Sequence, residues 1–285
     1  MKKTVVFLTV TFRDGLAVQR AQGTAFLVMV PDKRIGENGG FTYLVTNRHM
    51  VDPSVALRRP VQVLGLSIAV NRLLAAEDEG SALTEVALPP LQWQFSTDPS
   101  VDLAVAPLGL DRSKVDFLVI PEPIFATKDV VKSRQIAEGD SVMFAGFFAQ
   151  FPGQKKIEPV IRQGILAMLP DEDMPTTLQL PGKLYLADLH SFHGNSGSPV
   201  FVNLGGMRNG AVIVGETYFL IGVLSGYLYE SEDLRLDTAA TFIGEGHANS
   251  GITTIVPVDQ LKEILDTPEF VRQREAEAAK LLPQH

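Results

Sequence analysis

The sequence predicts an all-β protein, a barrel or a sandwich, finished by helices at its C-terminal end. Short β-branched or alternating apolar runs recur along the chain with turn residues between them, the pattern of many short strands. Helical spacing shows only beyond Pro257. No repeat of solenoid length and no low-complexity tract interrupts the pattern.

The elements follow in order. "TVVFLTVTF" after Lys2-Lys3 has the charged leader and apolar run of a short signal peptide. No small-residue cleavage pattern follows and "RDGLAVQRAQ" is polar, so it reads as a first strand. "GTAFLVMV", "FTYLVTN", "VQVLGLSIAV" and "DLAVAPL" continue the series. After a charged, proline-containing boundary near "PEPIFATKDVVKSRQ" come "SVMFAGFF", "VIRQGILAML", "KLYLADL", "PVFVNL", "AVIVGE", "FLIGVLSGY" and "GITTIVPV". "AAEDEGSA" and "YESEDLRLD" read as solvated acidic loops. Val258, Leu261, Ile264 and Leu265 then share one helical face. Thr267-Pro268 reads as an N-cap and first-turn proline of a second helix, "EFVRQREAEAAKLL". Both helices are expected to pack outside the β core.

Composition narrows the function. At 285 residues the chain can bury a full core, and two compact β units would fit. Lys and Arg number 25 against 33 Asp and Glu, a formal charge of −8, which repels phosphate backbones and anionic membranes. No nucleic-acid or membrane partner is expected, and no apolar run reaches the ~18 residues of a membrane span. Cysteine is absent, so disulfides and thiolate zinc sites are out, and a reducing, cytoplasmic setting is expected. There is no H-E-x-x-H and no phosphate-binding glycine loop, so no metal or other cofactor is expected.

One stretch carries chemistry. "HSFHGNSGSPVF" sets Ser196 in a tight Gly/Asn turn that runs into a strand. As a nucleophile it needs a base within hydrogen-bond reach and an orienting acceptor behind that base. His49 ends the apolar strand in "YLVTNRHMV", and Asp102 heads the strand "DLAVAPL". Gly194 would let its own N–H and that of Ser196 converge on a developing oxyanion. Rivals fit less well. Ser250, in "HANSG", follows Ala248 where the oxyanion turn needs glycine. Asp52 and Asp98 lie near His49 and Asp102 in sequence, without the strand-head placement. His193 is too close to Ser196 in sequence to face it. An α/β-hydrolase elbow would need glycine where Ser198 stands, and would order its residues differently.

The ordered segments "VTNRHMV", "DLAVAPL" and "HGNSGSPV" resemble the His, Asp and Ser segments of chymotrypsin-like (trypsin-fold) serine proteases. With "EGDSVMFAGF", "RQGIL", "IGVLSGY" and "GITTIVPV", the resemblance is closest to the bacterial HtrA (DegP-like) branch, and it runs from about Thr4 to Leu265. It implies two six-stranded antiparallel β-barrels: residues 1–125 carrying His49 and Asp102, residues 126–256 carrying Ser196 and the oxyanion hole, and a helical segment over 257–285. It implies a serine endopeptidase that hydrolyses polypeptides through an acyl-enzyme, with Ser196 as nucleophile, His49 as base, Asp102 as orienting acid, and Gly194 with Ser196 as oxyanion donors. Leu224, Ser225 and Gly226 would pair with the substrate backbone, and Tyr227 would narrow the pocket beside it. His190 would floor the primary pocket beside Ser191, with His193 at its rim. A pocket without a carboxylate disfavours Lys and Arg side chains and suits an acidic or polar one.

The chain also departs from the family. Asn195 stands where the digestive enzymes carry the aspartate that pairs with a new N-terminus, so activation by cleavage is not expected. Ser198 replaces the usual glycine. Too few residues follow Leu265 for a PDZ module. The competing reading is a catalytically silent relative that keeps the cleft as a peptide-binding or scaffold module.

Overall fold

The structure is a computed structural model. It describes all residues except 75–80, 209–210, 214, 216, 237–241 and 282–285. Most of the acidic stretch "AAEDEGSA" therefore lies outside the described residues. The N-terminal half holds β1 (Val5–Asp14), β2 (Ala17–Pro31), β3 (Gly40–Thr46), β4 (Gln62–Asn71), β5 (Leu83–Ala87), β6 (Gln94–Phe95), β7 (Ala104–Pro107) and β8 (Ile120–Pro121). Short helices α1 (Arg48–Val51) and α2 (Pro53–Leu57) sit between β3 and β4. Helix α3 (Lys128–Arg134) follows, on the stretch expected to be a linker.

The C-terminal half holds β9 (Ser141–Gly146), β10 (Val160–Met168), β11 (Met174–Pro175), β12 (Pro181–Gly182), β13 (Tyr185–Asp188), β14 (Pro199–Asn203), β15 (Gly206–Arg208), β16 (Ala211–Ile213), β17 (Tyr218–Leu236) and β18 (Phe242–Pro257). Helices α4 (Val258–Leu265) and α5 (Pro268–Leu281) close the chain. Among the described residues, no helix is long and apolar enough to cross a membrane.

The two halves close differently. Six strands of the second half form a closed barrel in the order β10-β13-β18-β17-β14-β9. The first half is an eight-stranded sheet in the order β5-β4-β1-β2-β3-β7-β6, with β8 added to β2 in parallel. Of the two expected antiparallel barrels, closure is thus seen only in the second. The region that would complete the first ring, between β5 and β7, carries Pro89, Pro90 and Pro99 and only the two-residue strand β6. Proline has no N–H to give a ladder, so β5 and β6 stay unjoined among the described residues.

Three local expectations also change. Helices α1, α2 and α3 occur well before Pro257. "YESEDLRLD" is not a loop as far as Leu236: it is the outer arm of β17, paired with β18 from Glu230↔Ala248 to Leu236↔Phe242. Thr267 does precede α5, but its hydroxyl donates back to the Ile264 carbonyl at 2.9 Å instead of capping the new helix.

The core crosses the seam between the halves. One buried cluster joins Val5, Phe26, Val45, Leu103 and Val105 of the first half to Phe201, Leu220, Val223 and Val256 of the second. Helix α4 adds Val258, Leu261, Ile264 and Leu265 to the same cluster, and Phe270 of α5 lies against Tyr43 with ring centroids 4.9 Å apart. The apolar face read from the helical spacing is therefore the face that plugs the seam. Each such side chain contributes about 1.5–3 kcal/mol by leaving water.

Candidate active site

Strand β3 ends at Thr46, whose hydroxyl donates to the Thr24 carbonyl of β2 at 2.8 Å. The chain turns at Asn47 into α1, which carries His49. Asn47 does not cap α1 with its side chain. Its Nδ2 donates to the Asp102 backbone carbonyl at 2.8 Å, tying the His49 turn to the segment that enters β7.

Asp102 lies just ahead of β7, with its side chain 1% exposed against 19% for His49. Oδ1 accepts the His49 backbone N–H at 3.0 Å, while Oδ2 lies 2.7 Å from His49 Nδ1 and accepts the Thr177 hydroxyl at 2.8 Å. Because the carboxylate can only accept, the proton belongs on Nδ1 and the lone pair on Nε2. Burial works against the imidazolium, but the charge of Asp102 and the bond to it outweigh burial and hold the His49 pKa above its ordinary 6.5. Burial likewise opposes the carboxylate, and His49, its backbone N–H and Thr177 together outweigh it and hold Asp102 below its ordinary 3.8.

The Ser196 turn is built in the other half. Asn195 braces it: Oδ1 accepts the Phe192 N–H at 2.8 Å, and Nδ2 donates to the Phe147 carbonyl at 2.7 Å. A carboxylate at this position could accept but not donate, which accounts for Asn195 in place of aspartate. Gly194 has φ +92°, and a Cβ there would stand 2.4 Å from the Phe147 ring. Gly197 has φ +86°, and its Cβ would stand 2.0 Å from the Thr24 carbonyl oxygen. Only glycine fits either position.

Thr24 joins the two halves at the site. Its N–H donates to the Ser196 carbonyl at 2.9 Å, its hydroxyl donates to the Gly194 carbonyl at 2.9 Å and accepts the Phe147 N–H at 2.9 Å, and its carbonyl accepts Thr46. The His49 turn and the Ser196 turn thus hang from one residue of β2. Ser196 Oγ donates to the Ser225 carbonyl at 3.3 Å, and no hydrogen bond joins it to His49. The N–H groups of Gly194 and Ser196 have no acceptor among the described residues.

Leu224 is committed on one side to the turn, accepting the Gly197 N–H and donating to the Ser198 carbonyl, each at 2.9 Å. The β14 ladder ends at Pro199↔Val223, so among the described residues β17 has no strand from Ser225 onward on the side facing Ser196. Ser225 Oγ is turned inward, 3.1 Å from Thr254 Oγ1.

The expected pocket residues divide. Ser191 is buried, its hydroxyl 2.8 Å from Thr253 Oγ1 and its carbonyl accepting Asn249 Nδ2 at 2.7 Å. His190 is exposed, its ring against Gly251. His193 is exposed at the rim. Its Nε2 lies 3.2 Å from the Tyr227 hydroxyl, which also accepts from Tyr229 at 3.2 Å. Burial and the Tyr229 bond push the Tyr227 phenol up to about 12.

The rivals are engaged elsewhere. Ser250 donates to the Leu228 carbonyl at 2.9 Å, Asp98 accepts the Ser100 N–H at 2.9 Å, and Asp52 accepts from Ser54. Thr177, Asn47 and Thr24 escaped the sequence reading. Thr177 sits in "MPTTLQLPG", a stretch with no periodicity to place it, and the other two read as ordinary strand or turn residues.

No family model matches the sequence, and no curated protein matches it. Solved structures do align with it. The HtrA-type protease AlgW with a decapeptide is 15% identical, covers 94% of this chain and 65% of its own, and has a TM-score of 0.48. Deg5 is 17% identical and covers 92% of this chain and 87% of its own, with a TM-score of 0.48. The MamO protease domain from Magnetospirillum magneticum, in its apo form, is 15% identical and covers 92% and 95%, with a TM-score of 0.43. This chain therefore spans just under two thirds of the AlgW chain. Among its structural neighbours are proteases of the HtrA type, the branch that its sequence motifs resemble.

Proposed function

We propose that the chain is a serine endopeptidase acting through Ser196, His49 and Asp102. The observation that carries the reading is the doubly anchored His49–Asp102 pair, one carboxylate bonded to both the backbone N–H and the Nδ1 of a single histidine. That arrangement leaves Nε2 as the base. Ser196 stands across the seam, on a turn fastened to the residue that also fastens the His49 turn.

In the reaction, Ser196 rotates its hydroxyl away from the Ser225 carbonyl and attacks the substrate carbonyl carbon while His49 Nε2 takes the proton. The new oxyanion is held by the Gly194 and Ser196 N–H groups, an interaction worth about 3–4 kcal/mol per donor. As the C–N bond breaks, the imidazolium returns its proton to the departing amine. Water, deprotonated by His49, then attacks the acyl-enzyme, releases the acid and restores Ser196. The peptide lies along the open edge Ser225–Tyr227 as an added strand.

One observation favours the second reading, a silent peptide-binding module: Ser196 bonds Ser225 and not His49. A fluorophosphonate probe separates the two. The enzyme labels in the wild type and fails to label in Ser196→Ala and His49→Ala, whereas a silent module labels in none of them.

A further inference from the structure

Among the described residues, Asp102 has one partner from the opposite half of the molecule, Thr177. Strands β11 and β12 form a short hairpin whose tip, Thr176 to Leu180, is closed by the Thr176 N–H donating to the Leu180 carbonyl at 2.9 Å. This hairpin is seated on the first half. A Cβ at Gly182 would stand 2.4 Å from Ser100 Oγ, and Arg58, just past α2, donates to the Gln179 side chain. Thr177 leaves the tip beside Ser100-Val101-Asp102.

Thr177 is itself exposed, yet its hydroxyl donates at 2.8 Å to Asp102 Oδ2, the same oxygen that faces His49 Nδ1. Its methyl points to the peptide edge: a Cβ at Gly226 would stand 2.7 Å from Thr177 Cγ2. Both groups branch from one Cβ and turn about a single torsion, which has few allowed settings in a β-branched residue. Displacing the methyl therefore swings the hydroxyl off the carboxylate.

We propose that Thr177 is a positioning residue that ties the peptide-binding edge to the acid of the triad, its methyl resting on Gly226 while its hydroxyl fixes Asp102 behind His49. This rests on the catalytic reading above. Serine at this position would hold the carboxylate without touching Gly226, and valine would touch Gly226 without holding the carboxylate.

The test compares Thr177→Val, Thr177→Ser and Gly226→Ala by NMR titration of the His49 ring without substrate, with kcat and KM measured in parallel. Asp102 is the carboxylate bonded to the His49 ring, so the titration reports on that carboxylate. Removing the hydroxyl leaves the carboxylate charge less neutralised and the imidazolium better stabilised. His49 in Thr177→Val should therefore titrate at higher pH than in the wild type, with kcat down about tenfold, the loss of one hydrogen bond to a charged group, and KM little changed.

Thr177→Ser should match the wild type in titration. Gly226→Ala should shift His49 in the same direction as Thr177→Val, and the double variant Thr177→Val/Gly226→Ala should shift it no further. The inference is overturned if Thr177→Val titrates like the wild type, if Thr177→Ser shifts as Thr177→Val does, or if the Gly226 and Thr177 effects add. A wild type that neither labels nor hydrolyses overturns the catalytic reading instead, and leaves the titration to decide the Thr177 link alone.

Discussion

The two halves prepare their shares of the site to different degrees. In the open first sheet, His49 and Asp102 are held at rest: three bonds converge on the carboxylate and a fourth fixes its backbone carbonyl. In the closed second barrel the backbone of the Ser196 turn is equally fixed, but its hydroxyl points at Ser225. On the proposed mechanism, the pair that must hold charge is built in advance, and the group that must move keeps one long, replaceable bond.

Removing a member from either half gives the largest effects. Ser196→Ala and His49→Ala should each lower kcat by about 10⁶-fold, because nucleophile and base act as a unit. Asp102→Asn should cost about 10⁴-fold by favouring the wrong tautomer, measured with a peptide substrate above neutral pH. If Asp102→Asn were no worse than a twofold loss, the fixed half would not matter to the chemistry.

Gly194→Ala strikes only the turn. It forces a Cβ into the Phe147 ring at a φ of +92°, and should cost about 10²–10³-fold in kcat by misplacing one oxyanion donor. His49 should titrate as in the wild type. A shifted titration would mean the two halves are not separable in this way. Leu261→Ala tests the seam that joins them. It empties a fully buried position in the cluster shared by both halves and should destabilise by about 2–5 kcal/mol. Chemical denaturation should show a single transition at lower denaturant, and loss of one half alone would break the picture of a common core.

What the sequence made legible follows the same division. Most strands of the second barrel, the seam-facing helix α4 and the pairing of His49 with Asp102 were readable, because each rests on local patterning or on a short motif. The open first sheet was not, because its closure depends on how proline-bearing segments between β5 and β7 meet strands far away in sequence. Thr177 and Asn47 were hidden for a related reason. Their work is a single hydrogen bond to a residue 75 or 55 positions away, and nothing in their own neighbourhoods marks it.

The smallest effect, and the most direct reading of the fixed pair, is the response to pH. Folding raises the pKa of His49, so its contribution to stability is full below 6.5 and is lost as pH rises through the folded value. Folding lowers the pKa of Asp102, so its contribution is full above 3.8 and is lost as pH falls through the folded value. On the proposed mechanism the base is the neutral imidazole, so activity should appear only as pH rises through the folded value of His49. Just above pH 6.5, therefore, kcat/KM should climb while the share of stability owed to His49 declines, and the acid limb should have its midpoint above 6.5. Thermal midpoints of the wild type and His49→Ala, taken across the same pH range as the rate profile, should converge as the rate rises. A limb centred at or below 6.5, or midpoints that stay parallel throughout, would mean that Asp102 does not stabilise the imidazolium in the folded protein.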